Sequence, residues 1–77
     1  MYRFEKTGEF LAHSDDGSRY HVIEYAKVVN LADAQTGSRW EPVGPKQYRL
    51  STGESVNMLS ETDFMIMQRR PVQITKQ

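Results

Sequence analysis

Few side chains in this sequence could do chemistry. His13 and His21 are the only histidines, and Asp15 and Asp16 lie between them. If Asp15-Asp16-Gly17 makes a turn, His13 stands near it and His21 pairs with Leu11. Both imidazoles then sit at one end of one hairpin. Two His and an Asp can hold a metal ion. Turn chemistry explains the same Asp residues on its own, because an Asp side chain at a turn bonds nearby backbone N–H groups. The turn is the stronger reading, and no metal site is assigned. Cys is absent, which excludes disulfides, thiol nucleophiles and Cys-ligated zinc or iron–sulfur centres. The serines fall mostly at turns and strand ends, and no Gly-x-Ser-x-Gly elbow surrounds one. Neither a P-loop nor a Gly-x-Gly-x-x-Gly phosphate cradle occurs. Paired carboxylates acting as acid and base need a cleft that shifts their pKa values, and 77 residues enclose little interior. The expectation is a protein that is not an enzyme and uses no cofactor.

The arginines offer a second chemistry. Arg19, Arg39, Arg49, Arg69 and Arg70 accompany Tyr20, Trp40 and Tyr48. Arg and aromatic side chains on a β surface can hold single-stranded nucleic acid by stacking and phosphate contacts. Arg39, Trp40, Arg49, Arg69 and Arg70 are the candidates for that role. Against it, ten basic residues balance ten acidic ones, whereas nucleic-acid modules usually carry a basic excess. Glu5, Glu9, Glu41 and Glu61 interleave with the arginines and blunt any basic field. A solvated surface is the favoured reading, and a small nucleic-acid-binding β-barrel is the alternative.

These residues need elements to position them. A polar pair precedes Gly in Asp15-Asp16-Gly17, Gln35-Thr36-Gly37 and Ser51-Thr52-Gly53. Each suits a three-residue hairpin loop, a type I turn followed by Gly at positive φ. With the first as a loop, Ala12 faces Tyr20, Phe10 faces Val22, Gly8 faces Glu24 and Phe4 faces Val28. Gly8 marks a bulge or sharp bend. With the last as a loop, Tyr48 faces Val56 and Lys46 faces Met58. A strand from Phe64 to Gln68 places Phe64 and Ile66 on one face, and Val72 and Ile74 make a final edge strand after Pro71. Pro42 and Pro45 keep the segment between them out of a central strand. Asn30 or Asp33 could cap one helical turn through Leu31 to Gln35, but no 3.6-residue period lasts three turns. The expected fold class is all-β: an antiparallel β-meander of five or six short strands, barrel-like or strongly bent, with at most one or two helical turns. Residues 1–77 form one domain, with 71–77 a tail open to fraying. Trp40, the only Trp, is expected in the core.

The run Tyr48-Arg49-Leu50-Ser51-Thr52-Gly53-Glu54-Ser55-Val56-Asn57, then Phe64-Met65-Ile66 and Arg69-Arg70, resembles a family of small bacterial β-rich proteins, a domain of unknown function. They share a Tyr-x-Leu-x-x-Gly-x-x-Val-Asn hairpin, a Phe-x-Ile strand and a basic end. The Asp-Gly-Ser-x-Tyr turn and the lone Trp40 fit the same pattern. The resemblance implies no activity and assigns no functional residue.

Apolar residues also fall on the second face of two strands. Ile23, Tyr25 and Val29 lie opposite Val22 and Val28, while Met65 and Met67 lie opposite Phe64 and Ile66. Leu59 shares their parity. One buried face is all that a single-layer sheet requires, and the chain has no room for a long helix to cover the other. Either a partner covers Ile23, Tyr25, Leu59, Met65 and Met67, or Met65 and Met67 plug the open end of a barrel. The functional expectation is a non-enzymatic β module that associates with another protein chain, most simply a second copy of itself. No apolar run suits a transmembrane helix and no signal-peptide pattern is visible. With the missing Cys, this points to a bacterial cytoplasm and no membrane partner.

Overall fold

Two glycines set the local geometry. In the computed structural model, which describes residues 1–33 and 37–77, Gly17 and Gly53 have φ of 85° and 107°. Gly enters that region freely because it has no Cβ. The two turns are built alike. Gly17 donates its N–H to the Ser14 carbonyl at 3.0 Å, and Ser14 donates to Ser18 at 2.9 Å. Gly53 donates to Leu50 at 2.8 Å, and Leu50 to Glu54 at 2.9 Å. Each is the predicted type I turn closed by a glycine bulge. Asp16 adds a cap, accepting hydrogen bonds from the Ser14 hydroxyl and the Ser18 N–H. The expected third turn lies outside the described residues except for Gly37, whose φ is 78°.

Seven strands follow: β1 (Tyr2–His13), β2 (Arg19–Asp33), β3 (Gly37–Pro42), β4 (Gln47–Leu50), β5 (Ser55–Met58), β6 (Asp63–Ile66) and β7 (Val72–Lys76). The architecture is the expected all-β meander, with slightly more strands than anticipated. Among the described residues there is no helix. Where a helical turn was expected from Leu31, β2 continues, because Leu31 pairs with Arg39 and Ala32 with Ser38. The rest of that turn, toward Gln35, lies outside the described residues.

The strand order is β1-β7-β6-β5-β4-β2-β3, and β1 also pairs with β2. Six strands are therefore hydrogen-bonded in a ring, and β3 stands outside it. β7 is not an edge strand, contrary to expectation. It pairs with β6 on one side and with β1 through Ala12↔Lys76 and His13↔Thr75 on the other. Ring closure removes the edges that a flat meander leaves bare. Inside the ring lie Ala12, Val22, Leu50, Val56, Phe64, Ile66 and Ile74, with Phe10, Tyr20, Tyr48 and Val72 packed against them. Phe64 sits centrally, its ring 5.0 Å from Phe10 and 5.1 Å from Tyr48.

Two strands outgrow the ring. β1 has 12 residues and β2 has 15, against four or five in each of β4 to β7. At ~3.3 Å per residue, β2 alone runs roughly 50 Å. That explains the molecule's 55 × 24 × 20 Å dimensions. The radius of gyration is 15.4 Å, whereas a compact chain of this length would have about 11.5 Å. Beyond the ring, β3 takes the side of β2 that β4 occupies within it. The outgrowth is an arm one sheet thick, made of residues 2–6, residues 25–33 and β3, with Tyr25 at its junction with β4.

A bulge marks the junction. The pairs Ala12↔Tyr20, Phe10↔Val22 and Gly8↔Glu24 follow the predicted register, which then shifts between Lys6 and Gly8. One extra residue reverses the face of every side chain beyond it. Phe4 therefore faces Lys27 instead of the expected Val28, and Arg3 stands beside Val28. Trp40 also departs from expectation. It is half-buried opposite Asn30 on the arm, outside the ring's core. The cause is that β3 pairs only with the part of β2 that leaves the ring.

Candidate functional site

The ring opens beside the bulge, and its most concentrated polar chemistry is there. Glu24 projects from the inner side of β2, across from Gly8, which leaves it room. Its carboxylate accepts hydrogen bonds from Thr7 Oγ1 at 2.8 Å, Lys46 Nζ at 2.9 Å and Tyr48 OH at 3.2 Å. A cavity of about 650 Å³ adjoins it, bordered by Phe10, Tyr48, Phe64 and Lys76. The bond from Lys46, then that from Thr7, holds the Glu24 carboxyl below its ordinary range. Glu24 in turn raises Lys46. Burial, reinforced by the Glu24 charge, pushes the Tyr48 phenol up. All three shifts lead away from neutral pH, whereas a general acid or base works best with a pKa near the operating pH. The arrangement is a clamp. It ties the bulge, β2, the β3–β4 connection and β4 to one carboxylate.

The histidines lie elsewhere, on the outer side of the β1–β2 hairpin. His21 contacts the Glu9 carboxylate, which also takes Lys6 Nζ at 3.1 Å. Lys6, then His21, lowers the Glu9 pKa. His13 faces Arg19. Among the described residues, no three His, Asp or Glu side chains converge to hold a metal ion.

The arginine–aromatic residues are not brought to one surface. Trp40 and Arg39 alternate along β3 and so occupy opposite faces. Arg39 pairs with Glu41 at 3.1 Å. Arg49 is on the ring's outer side and donates to the Gly53 carbonyl at 3.3 Å. Arg69 and Arg70 lie in the exposed β6–β7 loop. That loop starts at Met67, which donates to the Ser55 carbonyl, and Ser55 faces Arg49. Arg49, Arg69 and Arg70 thus share the turn-bearing end of the ring, while Arg39 and Trp40 are on the arm.

The apolar outward-facing residues also divide. Ile23 and Tyr25 point outward from β2, and Met65 points outward from β6 between Asn57 and Gln73. β2 and β6 are three strands apart in a ring of six, so they form opposite walls. Met67 is 45% exposed and Leu59 54%. Neither methionine fills the barrel, because Phe64 and Ile66 carry the inner face of β6. Ile23 and Tyr25 therefore lie on the wall opposite Met65.

What gathers around Tyr25 instead is an aromatic face on the arm. Tyr2 faces Val29, Phe4 faces Lys27 and Lys6 faces Tyr25, so all six share one side. Tyr2 is 60% exposed and Phe4 45%. Their rings meet edge-on at 6.0 Å, and Lys27 Nζ lies 4.5 Å from the Tyr2 ring. Phe4, Tyr25, Gln47 and Arg49 line a groove of about 260 Å³. The opposite side covers itself. The Arg3 guanidinium stacks 4.0 Å from the Trp40 ring and pairs with Glu5 at 2.6 Å, and Val28 and Ala26 are buried.

Tyr2 and Phe4 are missed by any single register, because the parity changes at the bulge. The one signal for them is Gly8, since a bulge there reverses the faces of residues 2–6.

Comparison with known protein families, with curated proteins and with solved structures finds no match for this chain. Among the described residues, no helix is long and apolar enough to cross a membrane.

Proposed function

We propose that this chain is a non-enzymatic β module whose arm joins it to another protein chain. The observation that carries the reading is a sheet one layer thick with Tyr2, Phe4 and Tyr25 on its open face and, among the described residues, unpaired strand edges beside them. A sheet gains stability by burying a face against another layer, and the described part of the arm has no second layer of its own. Bare edges accept an added strand through main-chain hydrogen bonds, with side-chain pockets giving selectivity.

Photo-crosslinking in the native cell tests this. A benzophenone side chain replaces Phe4 in one chain and Leu59, on the ring, in another. The Phe4 probe is expected to give protein adducts and the Leu59 probe far fewer. Adducts at Leu59 without adducts at Phe4, or nucleic acid in place of protein, overturn the reading.

A further inference from the structure

We infer that the arm's partner is a second copy of this chain, added antiparallel along β1 with the two-fold axis at Phe4. The inference rests on the reading of the arm as a docking surface and names its occupant.

The backbone selects the edge. The Met1 carbonyl accepts the Asn30 N–H at 3.1 Å, and the Lys27 carbonyl accepts the Val43 N–H at 2.8 Å. In an antiparallel pair, alternate residues direct their backbone groups toward the partner strand. Arg3 and Glu5 therefore bond to β2, while Tyr2, Phe4 and Lys6 turn their N–H and C=O groups outward. β7 reaches β1 only at Ala12 and His13, so among the described residues these outward groups have no strand beside them. The arm's other edge is less receptive. By the same alternation Ser38, Trp40 and Pro42 face out from β3, and Pro42 has no N–H to give.

The bulge selects the centre. It shifts the register between Lys6 and Gly8, and a bulge bends the strand and turns its free edge away from an added neighbour. The regularly paired stretch left is residues 2–6, whose midpoint is Phe4. Pairing about that midpoint sets Phe4 against Phe4 of the second copy as a hydrogen-bonded pair, which is the parity the outward groups require. Tyr2 then faces Lys6, and Lys6 faces Tyr2.

The side chains complement themselves in this register. Arg3 faces Glu5 of the other copy and Glu5 faces its Arg3, two opposite-charge pairs on one side of the sheet. On the other side, two Phe4 rings meet between two Tyr–Lys pairs. Cross-strand pairs of these kinds stabilise a sheet, and like charges directly opposite destabilise it. A shift that made Arg3 face Arg3, or Glu5 face Glu5, would be penalised. Five paired residues per copy fall short of the standard interface of ~800 Å² per partner, so the association is weak and reversible.

Charge-reversed variants test both partner and register. Arg3→Glu alone sets a second carboxylate against Glu5 of the other copy. Glu5→Arg alone sets a second guanidinium against its Arg3. Sedimentation equilibrium up to millimolar protein is expected to show a wild-type dimer and about tenfold or weaker self-association in each variant. Mixing the two variants restores the dimer, because each side chain at position 3 then meets its opposite charge at position 5. Amide hydrogen exchange gives a second readout that needs no variant. Protection at Tyr2, Phe4 and Lys6 rises with wild-type concentration, while that at Thr52, in a ring turn, stays constant. Variants that dimerise like wild type, or a mixture that fails to recover, overturn the register. A wild-type chain that stays monomeric at millimolar concentration, with Phe4 exchange independent of concentration, overturns self-pairing. If the Phe4 crosslinks then lead to a different protein, the broader reading of the arm survives this failure.

Discussion

The ring and the arm share β1 and β2, yet they bury their side chains by different means. In the ring, closure does the work. Val22, Phe64, Ile66 and Ile74 are almost fully enclosed because strands surround them on every side. On the arm, long side chains lie over short ones. Val28 and Ala26 are covered beside the stacked Arg3 and Trp40, and the other face stays open. The arm also encloses the Asn30 side-chain oxygen with no hydrogen-bond partner among the described residues. A buried acceptor left unpaired costs about 1–3 kcal/mol. The contrast teaches that an aromatic residue here has structural weight according to which side of the bulge it occupies.

The largest expected effect breaks the ring. Phe64→Ala should cost roughly 3–5 kcal/mol, enough to unfold much of a domain whose total stability is of order 5–15 kcal/mol. Phe4→Ala, on the arm's open face, should cost less than about 1 kcal/mol in a monomer, because little area is recovered by water. Urea titration at low concentration compares the two. Equal costs would mean that arm and ring are one cohesive core. Trp40→Ala falls between them at about 2 kcal/mol, from partial burial plus a cation–π contact of ~0.5–1 kcal/mol. A loss as large as that of Phe64→Ala would make Trp40 part of the ring's cohesion instead of the arm's.

Smaller effects sharpen the picture at the ring's turns. Gly53→Ala should cost about 1 kcal/mol through strain at positive φ, since nothing lies within 4 Å of the added Cβ. A neutral result would place that turn outside the cooperative unit. Asp16 gives the mildest test. The Ser14 hydroxyl, then the Ser18 N–H, holds its carboxyl down at about 2, against ~3.9 in an unfolded chain. The folded pKa is the lower one. The turn's contribution is therefore complete above pH ~4 and is lost as pH falls through about 2. An NMR titration of Asp16 should find that low midpoint in wild type and a more ordinary one in Ser14→Ala. An ordinary midpoint in wild type would show that the cap does not hold in solution.

Much of this was legible in the residues because it depends on near neighbours. Turn chemistry at Gly17 and Gly53, the pairing of Phe10 with Val22 and Tyr48 with Val56, and the inward parity of Phe64 and Ile66 all follow from short-range pattern. What escaped depends on counting or on distance. An extra residue at the bulge turned Phe4 outward, and periodicity cannot be carried across such an insertion. The outward parity of Ile23, Tyr25 and Met65 follows from alternation alone. Strand order then placed β2 and β6 on opposite walls, and parity says nothing about which strand is next to which. Closure through Ala12 and Lys76 was invisible because only two residue pairs make it. The size of Trp40 points to the core, but its strand pairs beyond the ring.

That closing contact also imposes an order on synthesis. Ala12 and Lys76 are far apart in sequence, and long-range pairings of this kind form late. Every residue of the arm precedes residue 43, whereas β7 is made after all the other strands. A nascent chain can therefore complete the arm while the ring still gapes, with the Ala12–His13 end of β1's outer edge bare as well until β7 emerges. Translation speed over the later strands sets how long that edge stays open, and with it the interval in which a growing chain is most prone to join a neighbour out of turn.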